Sequence, residues 1–432
     1  MLKRIQTRDL ILGMYVQEFC GSWMDHPFWR TKFLLQDPSD LARIRATAIA
    51  ELWIDPDRGL DVAADAVTLT QAEVEARIDT DFSKLAADHA VENSAAAELH
   101  PTTIRTPIAP PRRTVPARMQ DELRAAADIC RQGKDAVIAM FGEARMGRVV
   151  DAGQARSLVQ EISNSITRHP GALISLARIK TADNYTYLHS VAVCALMVAL
   201  ARQLGLSEPD TRSAGLAGLL HDLGKAAIPL KVLNKPGKLT DAEFDLMRQH
   251  SVAGYQMLKQ AGQVGPAVLD ACLHHHEKMD GTGYPDRLAG DQISLFARMA
   301  SVCDVYDAVT SDRVYKRGWD PSESLRRMAQ WSGGHFDPRV FQAFVKSIGI
   351  YPVGSLVRLA SERLAVVTEQ GVRSLVTPKV MVFFSTSSCL RIPPKTIDLG
   401  AVGCTDRIAA REDPSKWNFP DLNDMWSNQE PQ

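Results

Sequence analysis

The sequence predicts a mainly α protein, in which a helical bundle follows a small α/β domain and precedes a short β-rich tail. Three observations predict it. Residues 119–348 keep a helical hydrophobic period between Gly- and Pro-rich joints, residues 1–60 mix β-like runs with one helix, and residues 350–412 alternate β-branched and polar residues. With 432 residues, 45% of them apolar, the chain can build two to three domains with real cores.

Residues 1–94 are predicted to form the small α/β domain, with a sensory or dimerising role. Gly13–Gln17 and Glu51–Asp55 are typical of strands, and Pro38–Ala50 is typical of a helix. Residues 61–94 are Ala-rich and acidic, which favours one or two further helices. The aromatic stretch Trp23–Trp29 fits a core as well as a binding face.

Residues 95–118 are predicted to be a linker, because five prolines fall between His100 and Arg118 and few apolar residues accompany them. Residues 119–348 form the predicted helical domain. Its helical segments are 119–141, 151–168, 184–204, 209–222, 240–260, 265–277, 293–311 and 321–331. Residues 349–432 are predicted to be a β-rich appendage with a polar tail. Its strands are expected at Ser355–Leu359, Leu364–Thr368 and Val380–Phe384.

Charge and apolar content exclude several classes of protein. Lys and Arg number 50 against 51 Asp and Glu, so no basic field recruits nucleic acid. The first residues lack the apolar run of a signal peptide, and Val191–Ala201 is about half the length of a membrane span. The seven cysteines are dispersed, which is typical of reduced thiols. A cytoplasmic protein without membrane insertion is therefore expected.

The chemistry concentrates in histidines and acids of the helical region, where eight of the eleven histidines fall between positions 169 and 335. Each of five consecutive predicted helices carries one or two candidate ligands, and a helical bundle would bring these positions together in its core. The candidates are His189, His221, Asp222, His250, His275, His276 and Asp304. Mixed imidazole and carboxylate ligands favour first-row transition metals, and this number suits two ions. Two metals about 3.5–4 Å apart are typical of phosphoester hydrolysis.

These residues closely resemble a known family. His221-Asp222-Leu223-Gly224-Lys225 resembles the HD motif of the HD phosphohydrolase superfamily. His275-His276-Glu277, followed by Asp280-Gly281-Thr282-Gly283-Tyr284-Pro285, resembles the signature of its HD-GYP subfamily, the bacterial cyclic di-GMP phosphodiesterases. Further matches follow at Asp304–Ala308, Thr310–Arg313 and Gly334–Pro338, so that the resemblance covers about 180–345. The first residues also resemble a small domain often found ahead of HD-GYP domains.

The resemblance implies a helical-bundle fold of the HD type and a set of residue roles. His189, His221, Asp222 and Asp304 match the ligands of one metal, and Asp222 would bridge to a second metal held by His250, His275 and His276. Iron or manganese is expected, with zinc or nickel as alternatives. A Glu that holds a third metal in some members is replaced here by Tyr185 and Thr186, which favours two metals.

The remaining roles concern the substrate. A hydroxide between the metals would attack the phosphodiester of cyclic di-GMP in line, with Lys225 stabilising the phosphate. The end product is either linear pGpG or, after a second cleavage, GMP. Substrate would also contact Gly283, Tyr284, Pro285, Arg313 and Lys316, whereas Asp307 and Glu277 would support the ligands from behind. His274 lies just outside the matching pair and is expected to be structural.

Two alternatives stay open. One is an HD hydrolase acting on another nucleotide, which leaves the His275–Pro285 block unexplained. The other is a catalytically silent cyclic di-GMP receptor, although none of the seven ligand positions is lost. Candidate partners are cyclic di-GMP, diguanylate cyclase-type signalling proteins docking on the Gly283-Tyr284-Pro285 loop, and a second copy in a homodimer. Nucleic acid is not expected as a partner.

Overall fold

The computed structural model of this protein describes most of the chain. The described residues are 1–20, 32–47, 49–63, 66–98, 119–149, 151–178, 185–235, 237, 239–312, 318–371 and 374–427. The aromatic stretch Trp23–Trp29, most of the predicted linker, Arg313 and Lys316 lie outside them. Two compact units are present, one formed by Met1–Lys84 with Arg326–His335 and the other by Leu85–Leu325 with Phe336–Gln432.

The N-terminal region is a five-stranded antiparallel sheet with two helices. Its strand order is β3-β2-β4-β1-β5. The elements are β1 (Lys3–Gln6), β2 (Tyr15–Phe19), β3 (Phe33–Leu34), α1 (Pro38–Arg45), β4 (Glu51–Ile54), β5 (Leu69–Thr70) and α2 (Gln71–Glu98). Ile5, Met14 and Leu52 are fully buried in its core. The prediction that α1 runs to Ala50 is wrong, because the Thr47 hydroxyl donates to Ile44 O at 2.6 Å just after the last turn.

The second unit contains the predicted helical bundle. Its helices are α3 (Met119–Arg145), α4 (Ala152–Arg168), α5 (Pro170–Arg178), α6 (Tyr185–Gln203), α7 (Glu208–Leu220), α8 (Leu230–Leu233), α9 (Asp241–Ala261), α10 (Pro266–His274), α11 (Leu295–Thr310), α12 (Pro321–Trp331, partly in the first unit) and α13 (Pro338–Ile348). The α5 and α13 helices were not predicted. Both begin at a proline that also marks a joint between helices, and Asp337 caps α13 by accepting from Arg339 N–H.

The centre of the bundle is the α6–α7 pair. Gly215 and Gly218 let the two helices approach closely, since a Cβ at Gly218 would lie 2.9 Å from Val193 O. Among the described helices, one segment, Thr186–Gln203 of α6, is long and apolar enough to cross a membrane by length and composition. It is also 72% buried inside the protein, as expected for the core helix of a bundle.

After α13 comes an antiparallel five-stranded sheet in the order β10-β6-β7-β8-β9, followed by the short helix α14 (Asp424–Ser427). The strands are β6 (Leu356–Leu359), β7 (Arg363–Glu369), β8 (Lys379–Ser385), β9 (Leu390–Asp398) and β10 (Ile408–Arg411). The predicted fold class is confirmed, with helices in the bundle and sheets on either side of it in the chain. Strands β9 and β10 were missed, and β9 contains Pro393 and Pro394, which are tolerated only because it lies at the sheet edge.

Candidate metal centre

Five helices meet at one buried point in the bundle, and the seven predicted ligands lie there. His189 lies on α6, His221 and Asp222 at the end of α7, and His250 on α9. His275 and His276 follow α10, and Asp304 lies on α11. Three groups have ligand atoms all within 4.8 Å of one another: His189 with His221 and Asp304, His221 with Asp222 and His275, and His250 with His275 and His276.

Asp222 lies at the middle of this cluster. Its Oδ2 is 3.4 Å from His189 Nε2 and 3.3 Å from His221 Nε2, and its Oδ1 is 3.3 Å from His250 Nε2. The carboxylate thus faces both sides of the cluster with different oxygens. Burial alone would raise the pKa of Asp222, but Lys225 and the surrounding histidines hold that pKa well below its usual range. The central group is therefore an anion.

Asp304 provides the second carboxylate. Its Oδ1 lies 3.0 Å from His189 Nε2, and its Oδ2 lies 3.9 Å from His276 Nδ1. Burial opposes ionisation here as well, but the bond with His189 and the charges nearby hold the pKa of Asp304 well below its ordinary value. Two anions therefore lie in a site that excludes most water, an arrangement that costs several kcal/mol without cations.

Three of the histidines are oriented in the same way by their own helices. The Nδ1 atoms of His221, His250 and His275 lie 2.8, 2.7 and 2.9 Å from the backbone carbonyls of Gly218, Met247 and Cys272. A carbonyl only accepts, so each Nδ1 carries the proton and each Nε2 presents its lone pair to the centre. Burial also lowers the pKa of His250 to about 4 and of His275 to about 3, which keeps both rings neutral.

These orientations leave several lone pairs without hydrogen-bond donors, which is what bound metals require. Buried His221 Nε2 and Asp222 Oδ1 make no hydrogen bond among the described residues. The Nε2 atoms of His250 and His275 face each other at 3.3 Å, each with a lone pair toward the other. Cations between these atoms would satisfy all of them, so the donor set fits divalent transition metals.

His189 is held from behind by a carboxylate. Asp307 lies one turn after Asp304 on α11, and its Oδ2 is 2.6 Å from His189 Nδ1. The contact fixes the ring with Nε2 toward Asp222 and Asp304, as expected for a carboxylate that orients a ligand histidine. Burial lowers the pKa of His189, but bonds with the three carboxylates outweigh burial and raise it to about 10.

Close backbone packing brings Asp222 and His250 together. The α7 helix was predicted to reach Asp222 but ends at Leu220, and a 3-10 turn over Leu223–Ala227 follows. Gly224 in this turn lies against α9, where a Cβ would come 1.8 Å from His250 O and 2.4 Å from Gly254 N. Only glycine permits this approach.

Lys225 follows in the same turn, and its Nζ is 2.5 Å from Asp222 Oδ2. The ammonium group is only partly exposed and lies at the edge of the cluster. It thus places a positive charge beside the central carboxylate. Cys272 and Cys303, which adjoin the site in sequence, are buried, and burial raises the pKa of both thiols.

The Gly283-Tyr284-Pro285 loop packs directly on the predicted ligands. The Tyr284 ring stacks on the His276 ring with centroids 4.7 Å apart and planes inclined by 29°. Close packing requires glycine at position 283, since a Cβ there would lie 2.4 Å from Glu277 Cα. The Glu277 carboxylate accepts from the backbone N–H groups of Asp286 and Leu288, and so holds this loop rather than a histidine.

His274, expected to be structural, lies outside the three groups of ligand atoms. Its Nδ1 is 2.7 Å from Asp270 Oδ1 and its Nε2 is 2.9 Å from Asp286 Oδ2. It therefore ties α10 to the residue after Pro285. The sequence did not single out Arg248, whose guanidinium carbon lies 5.3 Å from the centroid of the Tyr284 ring. Its position two residues before His250 carried no signal of that contact.

Comparison with known proteins places these features in context. Residues 161–340 match the family model of the HD domain, and residues 2–155 match a domain of unknown function (DUF3391). The chain is 54% identical to the cyclic di-GMP phosphodiesterase PA4108 of Pseudomonas aeruginosa, over 99% of this chain and 96% of that protein.

Two further similarities are partial or distant. The chain is 44% identical to the cyclic di-GMP phosphodiesterase response regulator RpfG of Xanthomonas campestris, over 34% of this chain and 39% of that protein. Among solved structures, Bd1817 of Bdellovibrio bacteriovorus, described as an HDG"Y"P protein, aligns with a TM-score of 0.44 at 17% identity. That alignment covers 80% of this chain and 99% of that one.

Proposed function

The chain belongs to the HD-GYP subfamily of the HD phosphohydrolases, and from this membership we propose that it is a cyclic di-GMP phosphodiesterase. One observation carries the proposal: the seven residues that meet in the bundle core belong to a chain that is 54% identical, over 99% of its length, to a relative with that activity. The expected product is linear pGpG, or GMP if a second cleavage follows.

The proposed centre holds two metals. His189, His221, Asp222 and Asp304 would hold one, and His250, His275 and His276 would hold the other together with Asp222. Iron or manganese is expected at both positions. When bound, two such ions supply Lewis acidity for the phosphoryl oxygen and a nucleophile at neutral pH.

The protein's own residues supply the rest of the proposed mechanism. Asp307 holds His189 by its Nδ1, and the backbone carbonyls of Gly218, Met247 and Cys272 hold three more imidazoles, so that little reorganisation is needed. Lys225 would leave Asp222 for a phosphate oxygen and offset the charge that develops on it. Arg313 and Lys316 are proposed to bind the phosphates of the substrate.

The test is elemental analysis of protein purified without oxygen, with the same sample assayed for cyclic di-GMP turnover. About two transition metals per chain and turnover are expected, and Asp222→Ala should abolish both. Asp128→Ala serves as the control, because Asp128 is an exposed carboxylate on α3 that pairs with Arg131.

The other outcomes decide against the proposal. Two metals without turnover of cyclic di-GMP would point to an HD hydrolase for another nucleotide. Protein that binds cyclic di-GMP but holds no metal would be a receptor rather than an enzyme.

A further inference from the structure

Arg248 on α9 contacts two aromatic rings, and one of them packs on the proposed metal centre. Its guanidinium carbon is 4.6 Å from the centroid of the Phe244 ring and 5.3 Å from the centroid of the Tyr284 ring. Guanidinium groups interact favourably with aromatic faces, so these two rings help to hold the arginine side chain in place. The side chain nevertheless stays 47% exposed.

A continuous series of rings connects this guanidinium to the proposed ligands. Tyr284 stacks on His276 with centroids 4.7 Å apart, and the His276 ring centroid is 5.0 Å from that of His250. Arg248 is thus separated from the proposed ligand His276 by the thickness of a single ring. A nucleotide whose phosphate binds at the proposed metal centre would extend its base far enough to reach Arg248.

In the described part of the chain, the Arg248 guanidinium forms one loose ion pair. Asp245 Oδ1 lies 3.8 Å from its NH1, and Asp245 is itself 73% exposed. Among the described residues, no hydrogen bond from the Arg248 side chain is formed. Arg168 shows the contrast, because its Nε and NH2 each donate to the buried Glu122 at 2.7 Å. Arg168 is thus bound to a buried carboxylate, whereas Arg248 keeps donors that no described residue accepts from.

We propose that Arg248 recognises one guanine of the substrate, donating two parallel hydrogen bonds to O6 and N7 from a plane held by Phe244 and Tyr284. Guanine presents two adjacent acceptors at that edge, which match the guanidinium fork, whereas adenine presents a donor beside its N7. Arg248 would therefore select cyclic di-GMP over cyclic di-AMP. The inference rests on the proposed function and adds the residue that determines base specificity.

The experiment compares R248M and R248K with the wild type. It measures Kd for cyclic di-GMP and cyclic di-AMP by calorimetry, and KM and kcat for cyclic di-GMP and for bis(p-nitrophenyl) phosphate, a diester without a base. Both variants should raise Kd and KM for cyclic di-GMP roughly 10- to 100-fold. Activity on the simple diester should stay within about twofold, and Kd for cyclic di-AMP should hardly change.

The matched control is R212M. Arg212 on α7 has a similar exposure, 43%, and a similar loose ion pair, 3.7 Å from Glu208, but lies nine positions before His221. Its substitution should leave every constant unchanged. A second variant, F244L, should weaken cyclic di-GMP binding less than R248M, and the double variant should be little worse than R248M alone.

Three outcomes would overturn the inference. Unchanged cyclic di-GMP constants in R248M would show that the guanine is not contacted. Equal losses on both diesters would show that Arg248 only holds Tyr284 in place. Full recovery in R248K would assign the contact to a phosphate, since lysine keeps the charge without the fork.

Failure of the proposed function has a separate signature. Wild-type protein that binds cyclic di-GMP without turning it over would contradict the phosphodiesterase, whereas the Kd of R248M would still decide the role of Arg248. Wild-type protein that neither binds nor hydrolyses cyclic di-GMP would overturn both.

Discussion

Lys225 is the one lysine or arginine that the structure places in contact with the central carboxylate, among the residues it describes. In the free protein it neutralises Asp222 through a 2.5 Å contact, and in the reaction it would neutralise the phosphate instead. Lys225→Met should therefore lower kcat about 100- to 1000-fold, as loss of a donor to a developing oxyanion does. Metal content should stay at the wild-type level, because the ligands are untouched.

Steady-state kinetics with elemental analysis of the same preparation would check this expectation. Lys231→Met is the control, since Lys231 is exposed on α8, six positions further along the chain. If Lys225→Met lost metal in proportion to activity, Lys225 would be a structural partner of Asp222 and not a contact to the phosphate.

Asp307 contacts His189 and is proposed to act through that histidine rather than on the substrate. Its carboxylate holds the imidazole at 2.6 Å, and loss of such a support costs about 10- to 100-fold in metal affinity. Asp307→Asn should therefore lower the affinity for the metal proposed to bind His189 by that factor while keeping the fold. Competition with a chelator of known affinity measures the effect, and excess metal should restore turnover. An Asp307→Asn protein with wild-type metal affinity would contradict the role.

At the scale of elements, the contact between the 3-10 turn Leu223–Ala227 and α9 decides whether the two halves of the site meet. A methyl group at Gly224 would overlap His250 O, so Gly224→Ala must push the turn and α9 apart. The free energy of unfolding should fall by about 1–3 kcal/mol, and metal content should fall with it. Urea unfolding and elemental analysis measure the two effects.

Gly142 provides a matched comparison for this substitution. It lies in α3, and nothing lies within 4 Å of a Cβ built there. Gly142→Ala should raise the free energy of unfolding by about 0.5–1 kcal/mol, because alanine loses less backbone entropy in a helix. Equal behaviour of the two variants would show that the contact between the turn and α9 is not the tight one described.

The same elements show how far a sequence can predict this structure. Helices such as α9 were predicted to within a residue, because the Thr240 capping box and Gly262 mark both ends and one face is apolar. The end of α7 was not, because close packing against α9 sets it, and α9 follows later in the chain. The seven predicted ligands could be collected from their spacing, whereas the contacts of Arg248 with Phe244 and Tyr284 depend on a loop that comes later in the chain.

At the scale of the whole molecule, the proposed metals would hold five helices together. Ligands that satisfy metals in the folded state are dispersed in the unfolded chain, so metal binding adds to the free energy of unfolding. With free metal at about 1,000 times Kd, the gain is about 4 kcal/mol, which for a domain of this size corresponds to a Tm higher by roughly 10 °C. Chelation should therefore lower Tm by about that amount.

The loss of stability should also be local, which hydrogen exchange can show. Backbone amides of α6, α9 and α11, each of which carries a proposed ligand, should lose protection when metal is removed. Strands β7 and β8 carry none and should exchange as before. In Asp222→Ala the chelator should change neither Tm nor exchange. Equal deprotection of helices and strands, or an unchanged Tm in the wild type, would mean that the seven side chains do not hold metals in the core of the bundle.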